Sequence, residues 1–177
     1  MGLPFQKVIA SNNLNDTFTK FIESNIYKPK KSVKTISSAM DVGDPSNFIR
    51  VVEFFLNDYY RIKELISAYS FDDSETKNCI KVLNEKYNYI CDPHGAVGYL
   101  GVQKHKEKNK DFNYIFLGTA HFSKFMDEIR DCIKEPISYP KKIEQLLSKD
   151  GESHQIKTYL EFKNYINSCL LYTSPSP

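Results

Sequence analysis

The apolar residues of this chain occur either in short continuous runs, which are typical of strands, or at steps of three and four residues, which are typical of helices. Two short runs predict strands. Residues 6–10 (QKVIA) form a β-branched run that ends in the polar cluster 11–13 (SNN), a pattern that predicts a buried strand entering a loop. Residues 114–117 (YIFL) form a second compact apolar run, which is closed by Gly118 and Thr119. A helical pattern follows each run, so the predicted order is strand, turn and helix.

Helical spacing dominates most of the remaining chain. Apolar residues recur at steps of three and four from Phe48 to Ile62, which predicts one long helix that opens after Pro45. The polar pairs at 15–16 (ND) and 74–75 (SE) are predicted to cap the helices that follow them. The other predicted helices cover residues 17–24, 74–87, 93–100, 121–133, 141–147 and 159–166.

Strands that feed helices indicate an α/β protein with an open sheet and crossover connections, here rich in helix. Ligands in such sheets bind at the carboxyl ends of the strands, so residues 11–13 and 118–121 are the predicted ligand positions. The final residues, 168–177 (SCLLYTSPSP), are rich in Ser, Thr and Pro, which do not continue a helix. We predict one folded region, residues 1–167, and a disordered or artefactual tail, residues 168–177.

Composition narrows the class of protein. Of the 177 residues, 41% are hydrophobic and 26% are charged, as in globular proteins. A net charge of +2 is too weak to predict a nucleic-acid partner, and the basic runs at 28–31 and 104–110 are expected to be solvated loops.

No stretch approaches the roughly 20 apolar residues of a membrane helix, and no signal peptide is present, so we expect a cytoplasmic protein without a membrane partner. The cysteines lack C-x-x-C spacing, so reduced thiols and no metal site are expected.

Both predicted ligand positions, and a helix start between them, carry hydrogen-bonding residues. Gly118 permits close backbone approach, and Thr119 supplies one neutral hydroxyl that could orient a ring nitrogen or could simply cap the next helix. His94 stands at a helix start, where the macrodipole favours a neutral imidazole, and its role could be catalytic or structural. Asn12 and His121 are candidate substrate ligands, although an Asn at such a place often forms an Asx turn. No phosphate-binding loop, dinucleotide fingerprint or nucleophile-elbow motif occurs, so the residues alone identify no nucleophile.

Four blocks of sequence, taken together, point to a family. They are IASNNLND at 9–16, TISSAMDV at 35–42 with PSNF at 45–48, DPHGAVG at 92–98, and LGTAHFSKF at 117–125. In this order and spacing they resemble threonine synthase, from the first residues to about Ile166. The chain departs from the family pattern at Gly95 and at Phe122 and Ser123, and neither departure removes a catalytic group.

The resemblance implies fold type II of the pyridoxal-phosphate enzymes, the architecture of the tryptophan synthase β-subunit. It implies a lyase of threonine biosynthesis that converts O-phospho-L-homoserine and water to L-threonine and phosphate, with pyridoxal 5'-phosphate as the electron sink. Thr119, with Gly118 beside it, matches the family position whose hydroxyl meets the pyridine nitrogen of the cofactor. His94, Asn12 and His121 lie in family motifs and are the other candidate site residues.

The same resemblance places the Schiff-base lysine and the glycine-rich phosphate loop before residue 1, and no lysine of this chain matches that motif. We therefore expect the chain to be the C-terminal part of a longer protein. In isolation it is expected to bind the cofactor weakly and to be inactive. Strands that lack their neighbours expose unpaired edges, so poor solubility is also expected.

Two other functions stay open on sequence alone. One is another enzyme of the same fold type, such as a serine or threonine dehydratase, which the AMD motif at 39–41 and the DPH motif at 92–94 disfavour. The other is a non-catalytic ligand-binding or interaction domain derived from the synthase. The coding sequence upstream would separate them, because a complete lysine motif there favours the enzyme.

Overall fold

A computed structural model of the chain describes residues 5–149, 151 and 153–170. The chain divides into two compact units, Met1–Ser138 and Tyr139–Pro177, whereas its sequence pattern predicts one region, 1–167. Within the described ranges, no helix is long and apolar enough to cross a membrane.

The first unit is built on two parallel strands. β1 covers Val8–Asn12 and β2 covers Ile66–Ser70, and the two pair in register from the first residue to the last. The strand predicted at 6–10 is confirmed but displaced by two residues, so Ser11 and Asn12 belong to the strand rather than to the loop. Parallel strands joined through helices confirm the predicted α/β class. The sequence pattern did not predict β2.

Helices make up most of the remaining regular structure, and α1, α3 and α5 pack against the sheet. Between the strands lie α1 (Thr17–Ser24), a 3₁₀ turn (Ser38–Met40), α2 (Phe48–Phe54) and α3 (Tyr59–Leu65). After β2 come α4 (Asp73–Tyr87), α5 (Pro93–Lys106), a second 3₁₀ turn (Phe122–Phe125) and α6 (Met126–Arg130). The second unit contains α7 (Lys141–Leu147) and α8 (Tyr159–Leu170). The helices predicted at 17–24 and 141–147 are confirmed at both ends.

The single long helix predicted at 48–62 is wrong. After α2 the chain turns through Leu56 and Asn57, whose φ angles of 53° and 61° are left-handed. Asp58 then caps α3, because its carboxylate accepts the backbone N–H three residues later at 3.1 Å. The apolar stripe continues across this break, so hydrophobic spacing alone did not reveal it.

Two predicted caps also differ from the structure. Asp16 precedes α1, but its carboxylate pairs with Lys30 and makes no capping hydrogen bond. At α4, Asp72 and Glu75 form a reciprocal capping box with N–H···O distances of 2.8 and 2.9 Å, and Ser74 is not the cap.

Several predicted boundaries in the second half are wrong. α5 continues past its predicted end, so the basic run at 104–110 begins in a helix rather than in a loop. Residues 114–117 have no regular secondary structure and form no strand, because no strand of the described chain pairs with them. The helix predicted at 121–133 is the second 3₁₀ turn followed by the shorter α6. α8 continues to Leu170, three residues beyond the predicted end of the folded region, and residues 171–177 lie outside the described chain.

Two hydrophobic clusters hold the first unit together. The cluster around α1, α3 and β2 contains Phe21, Ile22, Phe55, Ile62 and Ile66. The cluster around α4, α5 and α6 contains Cys79, Ile80, Leu83, Cys91, Ala96, Ile129 and Ile133. Full burial of each large apolar side chain stabilises the fold by about 1.5–3 kcal/mol, so these clusters fix α5, which carries the DPH motif at its start.

Candidate functional site

Asn12 lies at the carboxyl end of β1, and its side-chain amide holds that strand to its neighbours. The Nδ2 group donates to Thr19 Oγ1 on α1 at 2.9 Å and to the Tyr69 carbonyl on β2 at 3.4 Å. Both protons of the Asn12 amide nitrogen therefore have partners. The remaining hydrogen-bonding group of this side chain is its carbonyl oxygen, which is an acceptor.

Asn13 is buried and organises a polar network rather than facing solvent. Its Nδ2 donates to Thr35 Oγ1 at 2.8 Å and to Asp41 Oδ1 at 2.9 Å. Its Oδ1 accepts the backbone N–H and the side-chain amide of Asn15, each at 2.9 Å. The end of β1 is thus tied to the segment 35–41.

The carboxylate of Asp41 is the acceptor at the centre of this network. It accepts from the Thr35 backbone N–H at 2.9 Å, from the Thr35 hydroxyl at 2.7 Å, and from the amides of Asn13 and Asn15. Every buried side-chain nitrogen and oxygen of the described residues has a hydrogen-bond partner. Because a satisfied buried network is rigid, the segment 35–41 has a defined position relative to β1.

His94 lies in the first turn of α5 and joins three separate segments. Its Nδ1 lies 3.0 Å from Oδ1 of Asp92, the cap of α5, and its Nε2 accepts the Ala39 backbone N–H at 3.1 Å. The imidazole also packs against the Phe125 ring, with 4.8 Å between ring centroids. Since a backbone N–H can only donate, Nε2 is unprotonated and Nδ1 carries the proton that Asp92 accepts. The side chain is 9% exposed.

These contacts bring together residues from all four sequence blocks. Asn13 of the first block bonds to Asp41 of the second, and Ala39 of the second block bonds to His94 of the third. His94 in turn contacts Phe125 of the fourth block. The assembly spans more than 100 positions of sequence, and it brings together motifs that sequence analysis assigned to separate ligand positions.

Gly118 and Thr119 lie in an exposed segment without regular secondary structure and not at the end of a strand, so the strand-end position predicted for them is wrong. A Cβ built on Gly118 would meet only the Tyr89 hydroxyl, at 4.0 Å, so the space beside this glycine is open. Within the described part of the chain, no group hydrogen-bonds to the Thr119 hydroxyl. Nor does Thr119 cap the following turn, because His121 is the cap.

His121 is exposed, and its Nδ1 accepts the Ser123 backbone N–H at 3.2 Å. The Ser123 hydroxyl lies 2.8 Å from the same nitrogen, and the imidazole packs on Phe122 at 4.3 Å between centroids. An accepting Nδ1 leaves the proton on Nε2 in the neutral ring, so His121 presents a donor.

Sequence reasoning singled out His94 and Asn12 but missed Asp41, Asp92 and the Ala39 N–H. An aspartate directly before Pro93 at a helix start is a recognisable cap, and this signal identifies Asp92. The partnership of Ala39 with His94 could not be read from local sequence, because it joins positions 55 residues apart through a backbone group.

Burial disfavours the thiolate form of the cysteines in the first unit, and it raises the pKa of the half-buried Cys132 as well as those of the two buried thiols. Burial raises the pKa of Cys79 and that of Cys91 to about 12. No group of three or more His, Cys, Asp or Glu side chains is placed to hold a metal ion in the residues described here. The side chains that the contacts above bring together carry amides, hydroxyls, an imidazole and carboxylates.

The fold is that of an α/β protein whose candidate ligand site lies at the carboxyl end of β1. Residues 95–166 match the family described as "Threonine synthase, C-terminal". Threonine synthase of Buchnera aphidicola subsp. Schizaphis graminum is 38% identical over 156 residues, which are 88% of this chain and 35% of that protein. Threonine synthase of Escherichia coli strain K12 is 34% identical over 156 residues, 88% of this chain and 36% of that protein.

Solved structures agree with the sequence comparison. The crystal structure of threonine synthase from Escherichia coli matches with a TM-score of 0.81 and 31% identity, covering 95% of this chain and 39% of that chain. A PLP-bound threonine synthase from Brucella melitensis matches with a TM-score of 0.80 and 25% identity, covering 95% of this chain and 41% of that chain. The chain belongs to the threonine synthase family, and it spans a little over a third of the length of these relatives.

Proposed function

We propose that this chain supplies the C-terminal part of the active site of a threonine synthase, which converts O-phospho-L-homoserine and water to L-threonine and phosphate. The observation that carries the proposal is the joining of four separated sequence blocks through Asn13 and His94. Ligand sites of α/β proteins are assembled from distant segments in this way. The similarity to threonine synthases over 88% of the chain supports the assignment of the reaction.

Pyridoxal 5'-phosphate is the proposed cofactor, and Thr119 with Gly118 are its proposed ligands in this chain. The exposed Thr119 hydroxyl is available to a ligand, and the open space beside Gly118 leaves room for a flat ring. When bound, the cofactor withdraws electrons from the carbon atoms of the substrate. A neutral hydroxyl does not hold a pyridine nitrogen protonated as a carboxylate would, which suits elimination better than transamination.

Asn12 and His121 are the proposed substrate ligands, with different chemical tasks. The carbonyl oxygen of Asn12 is an acceptor, so it suits the ammonium group of an amino-acid substrate. The Nε2–H of His121 is a donor, so it suits a carboxylate or phosphate oxygen.

The proposed location is the cytoplasm. Cys79, Cys91, Cys132 and Cys169 are free thiols. Cysteines without paired spacing are typical of proteins in a reducing compartment, where thiols stay unpaired, and this supports the proposed location.

The isolated 177-residue chain is proposed to be inactive, because the family's cofactor lysine has no counterpart here. Titration with pyridoxal phosphate, followed by absorbance and equilibrium dialysis, should show weak binding without a stable protein-linked chromophore. Release of phosphate from O-phospho-L-homoserine should stay at the background level. A stable chromophore together with turnover would contradict this part of the proposal.

A chimera tests the function itself. In Escherichia coli threonine synthase, this chain replaces the C-terminal part that it matches at 34% identity, and the chimera is introduced into a threonine auxotroph. We expect growth without threonine and phosphate release by the purified chimera. Thr119→Val should lower kcat/KM by about 10- to 100-fold through loss of one hydrogen bond to the cofactor, whereas Thr119→Ser should retain activity. A folded chimera that binds the cofactor but forms no threonine would refute the proposal.

A further inference from the structure

We infer that His94 is a positioning residue of the proposed site: as a neutral bridge between Asp92 and the Ala39 N–H, it fixes the Ser38–Met40 turn and takes no proton from the substrate. This inference rests on the proposed function for its effect on turnover. The hydrogen-bonding geometry on which it is built stands on the described residues alone.

Both ring nitrogens of His94 are already engaged. Nδ1 is 3.0 Å from Asp92 Oδ1, and Nε2 is 3.1 Å from the Ala39 nitrogen. A general acid or base must exchange a proton with the substrate within hydrogen-bond reach. For His94 to do so, one of these two bonds would have to break first.

The aspartate in this bridge, Asp92, also caps the start of α5. Asp92 Oδ1 accepts the His94 backbone N–H at 3.0 Å and the Gly95 N–H at 3.4 Å, in addition to the imidazole. The carboxylate is therefore fixed by the helix, and it holds the imidazole in one orientation. An imidazole oriented in this way presents Nε2 to the turn.

The Ser38–Met40 turn needs this contact because its tip is exposed. Ser37 and Thr35 are buried in the Asn13 network, whereas Ser38 and Ala39 are exposed. The network fixes the segment on the strand side, and His94 fixes the tip on the side of α5. Without His94, the Ala39 N–H would lose its partner, and the tip would keep only the backbone hydrogen bonds within the turn and the contacts of the residues on either side of it.

The contact with Phe125 extends this positioning to a third segment. The His94 and Phe125 rings lie 4.8 Å apart, and Phe125 ends the turn that follows Thr119 and His121. A change that removes the imidazole therefore loosens the Ser38–Met40 turn and the segment that carries the proposed cofactor ligand.

Two substitutions separate positioning from proton transfer. His94→Gln places an amide oxygen where Nε2 accepts the Ala39 N–H, and it has no group that titrates near neutral pH. His94→Ala removes the acceptor and the ring. A positioning role is rescued by Gln, whereas an acid or base role is lost in both variants.

The first measurement does not depend on activity. ¹⁵N NMR of the 177-residue chain at neutral pH should show His94 with a protonated Nδ1 and an unprotonated Nε2, and slow hydrogen exchange at the Ala39 amide. Exchange at Ala39 should accelerate on the order of tenfold in His94→Ala and stay near the original rate in His94→Gln. His154→Gln, at an exposed histidine of the second unit, is the matched control and should change neither signal. The opposite tautomer, or unaltered Ala39 exchange in a folded His94→Ala variant, would overturn the inference.

The second measurement uses the chimera described above. His94→Ala should lower kcat/KM mainly by raising KM, because a loosened turn binds the substrate less well, and His94→Gln should recover most of the loss. The pH profile of kcat should keep its shape in His94→Gln. Disappearance of one limb of that profile would identify His94 as an acid or base and overturn the inference. If the unmodified chimera forms no threonine, the proposed function fails while the NMR result still decides the role of His94 in the fold.

Discussion

His105 on α5 is buried between two tyrosine rings and is 6% exposed. Its Nδ1 lies 3.2 Å from the hydroxyl of Tyr69 on β2, and its ring centroid lies 5.9 Å from that of Tyr114 in the segment before Thr119. Burial lowers the pKa of His105 below its ordinary value of 6.5, and the nearby Lys7 charge lowers it further. This histidine therefore links the sheet to the segment that carries the proposed cofactor ligand, and it does so in its neutral form.

The lowered pKa predicts an acid-sensitive fold. The unfolded chain protonates His105 more readily than the folded chain does, so the stabilising effect of the neutral ring is complete above about pH 6.5 and is lost as the pH falls below that value. Chemical denaturation between pH 5 and 8 should show this decline, and His105→Gln should flatten it. His154→Gln should leave the decline intact, since that histidine is exposed. An unchanged pH dependence in His105→Gln would contradict the assignment.

Leu56 holds a left-handed backbone conformation, with φ of 53°, while its side chain is 79% exposed. A leucine pays a steric penalty there that glycine avoids, and little packing is lost on substitution. We expect Leu56→Gly to raise the free energy of unfolding by up to about 1 kcal/mol, after allowance for the greater freedom of glycine in the unfolded chain. Leu56→Val is the comparison and should destabilise, because β-branching disfavours this conformation. Urea denaturation of the original chain and the two variants measures the order of their free energies of unfolding.

At the residue scale, the sequence pattern indicated candidate site residues but did not indicate which groups they hydrogen-bond to. Asn12 and His94 stand out because their chemistry and their neighbours along the chain are visible in the sequence. The hydrogen bond from Ala39 to His94 depends on a tertiary contact between a backbone group and a side chain, which no local pattern encodes. Asp41 stands within the block at 35–42, but its position among four hydrogen-bond donors is visible only in the folded chain.

At the element scale, α5 packs directly against β1, and two glycines of that helix allow a matched test. A Cβ on Gly101 would lie 1.9 Å from Ser11 Oγ and 3.2 Å from Ile9 Cγ2, whereas a Cβ on Gly98 would meet nothing within 4 Å. Gly101 is therefore required by the close approach of helix and strand. Gly98 carries no such constraint.

Substitution by alanine should act in opposite directions at these two positions. Gly101→Ala should lower the free energy of unfolding by about 1–3 kcal/mol, because Ser11 or the helix must shift. Gly98→Ala should raise it by about 0.5–1 kcal/mol, because alanine favours a helix interior over glycine. Thermal and urea denaturation of both variants measure the difference. Equal effects of the two changes would mean that Gly101 of α5 lies further from Ser11 of β1 than the distances above indicate.

The wrong elements have physical causes that sequence patterns do not contain. Residues 114–117 have strand-forming side chains, but a strand also needs a neighbour, and no described strand or backbone group hydrogen-bonds to residues 115–117. Elsewhere, the left-handed turn between α2 and α3 interrupts a stripe whose apolar spacing is unbroken. Local propensity thus predicted the type of most elements, and their ends and pairings depended on tertiary structure.

At the scale of the whole molecule, the described chain leaves apolar groups and strand edges uncovered. Its sheet has two strands, and a sheet of that size is marginal without further packing. Ile115 and Leu117 are 81% and 76% exposed in the segment before Gly118, and they alternate with half-buried Tyr114 and Phe116. Neighbouring apolar side chains exposed on a strand-competent segment are prone to intermolecular association.

The alternation of exposed and half-buried side chains in residues 114–117 predicts which of them cause that association. Replacing Ile115 and Leu117 together by Lys should increase the soluble yield of the 177-residue chain and reduce its oligomers in sedimentation experiments. The free energy of unfolding should change by less than about 0.5 kcal/mol, because exposed side chains contribute little to the core.

Phe116→Lys is the matched control, since this ring packs against Tyr99 at 5.5 Å between centroids. It should destabilise the chain by about 1–3 kcal/mol, because a charge replaces a packed ring. If the double variant associates as strongly as the original chain, the association involves another surface. If instead it unfolds, then the exposed face of the segment supports the fold, and the alternation derived from the structure is wrong. The comparison therefore separates the apolar groups that hold this chain together from those that it presents for another strand to cover.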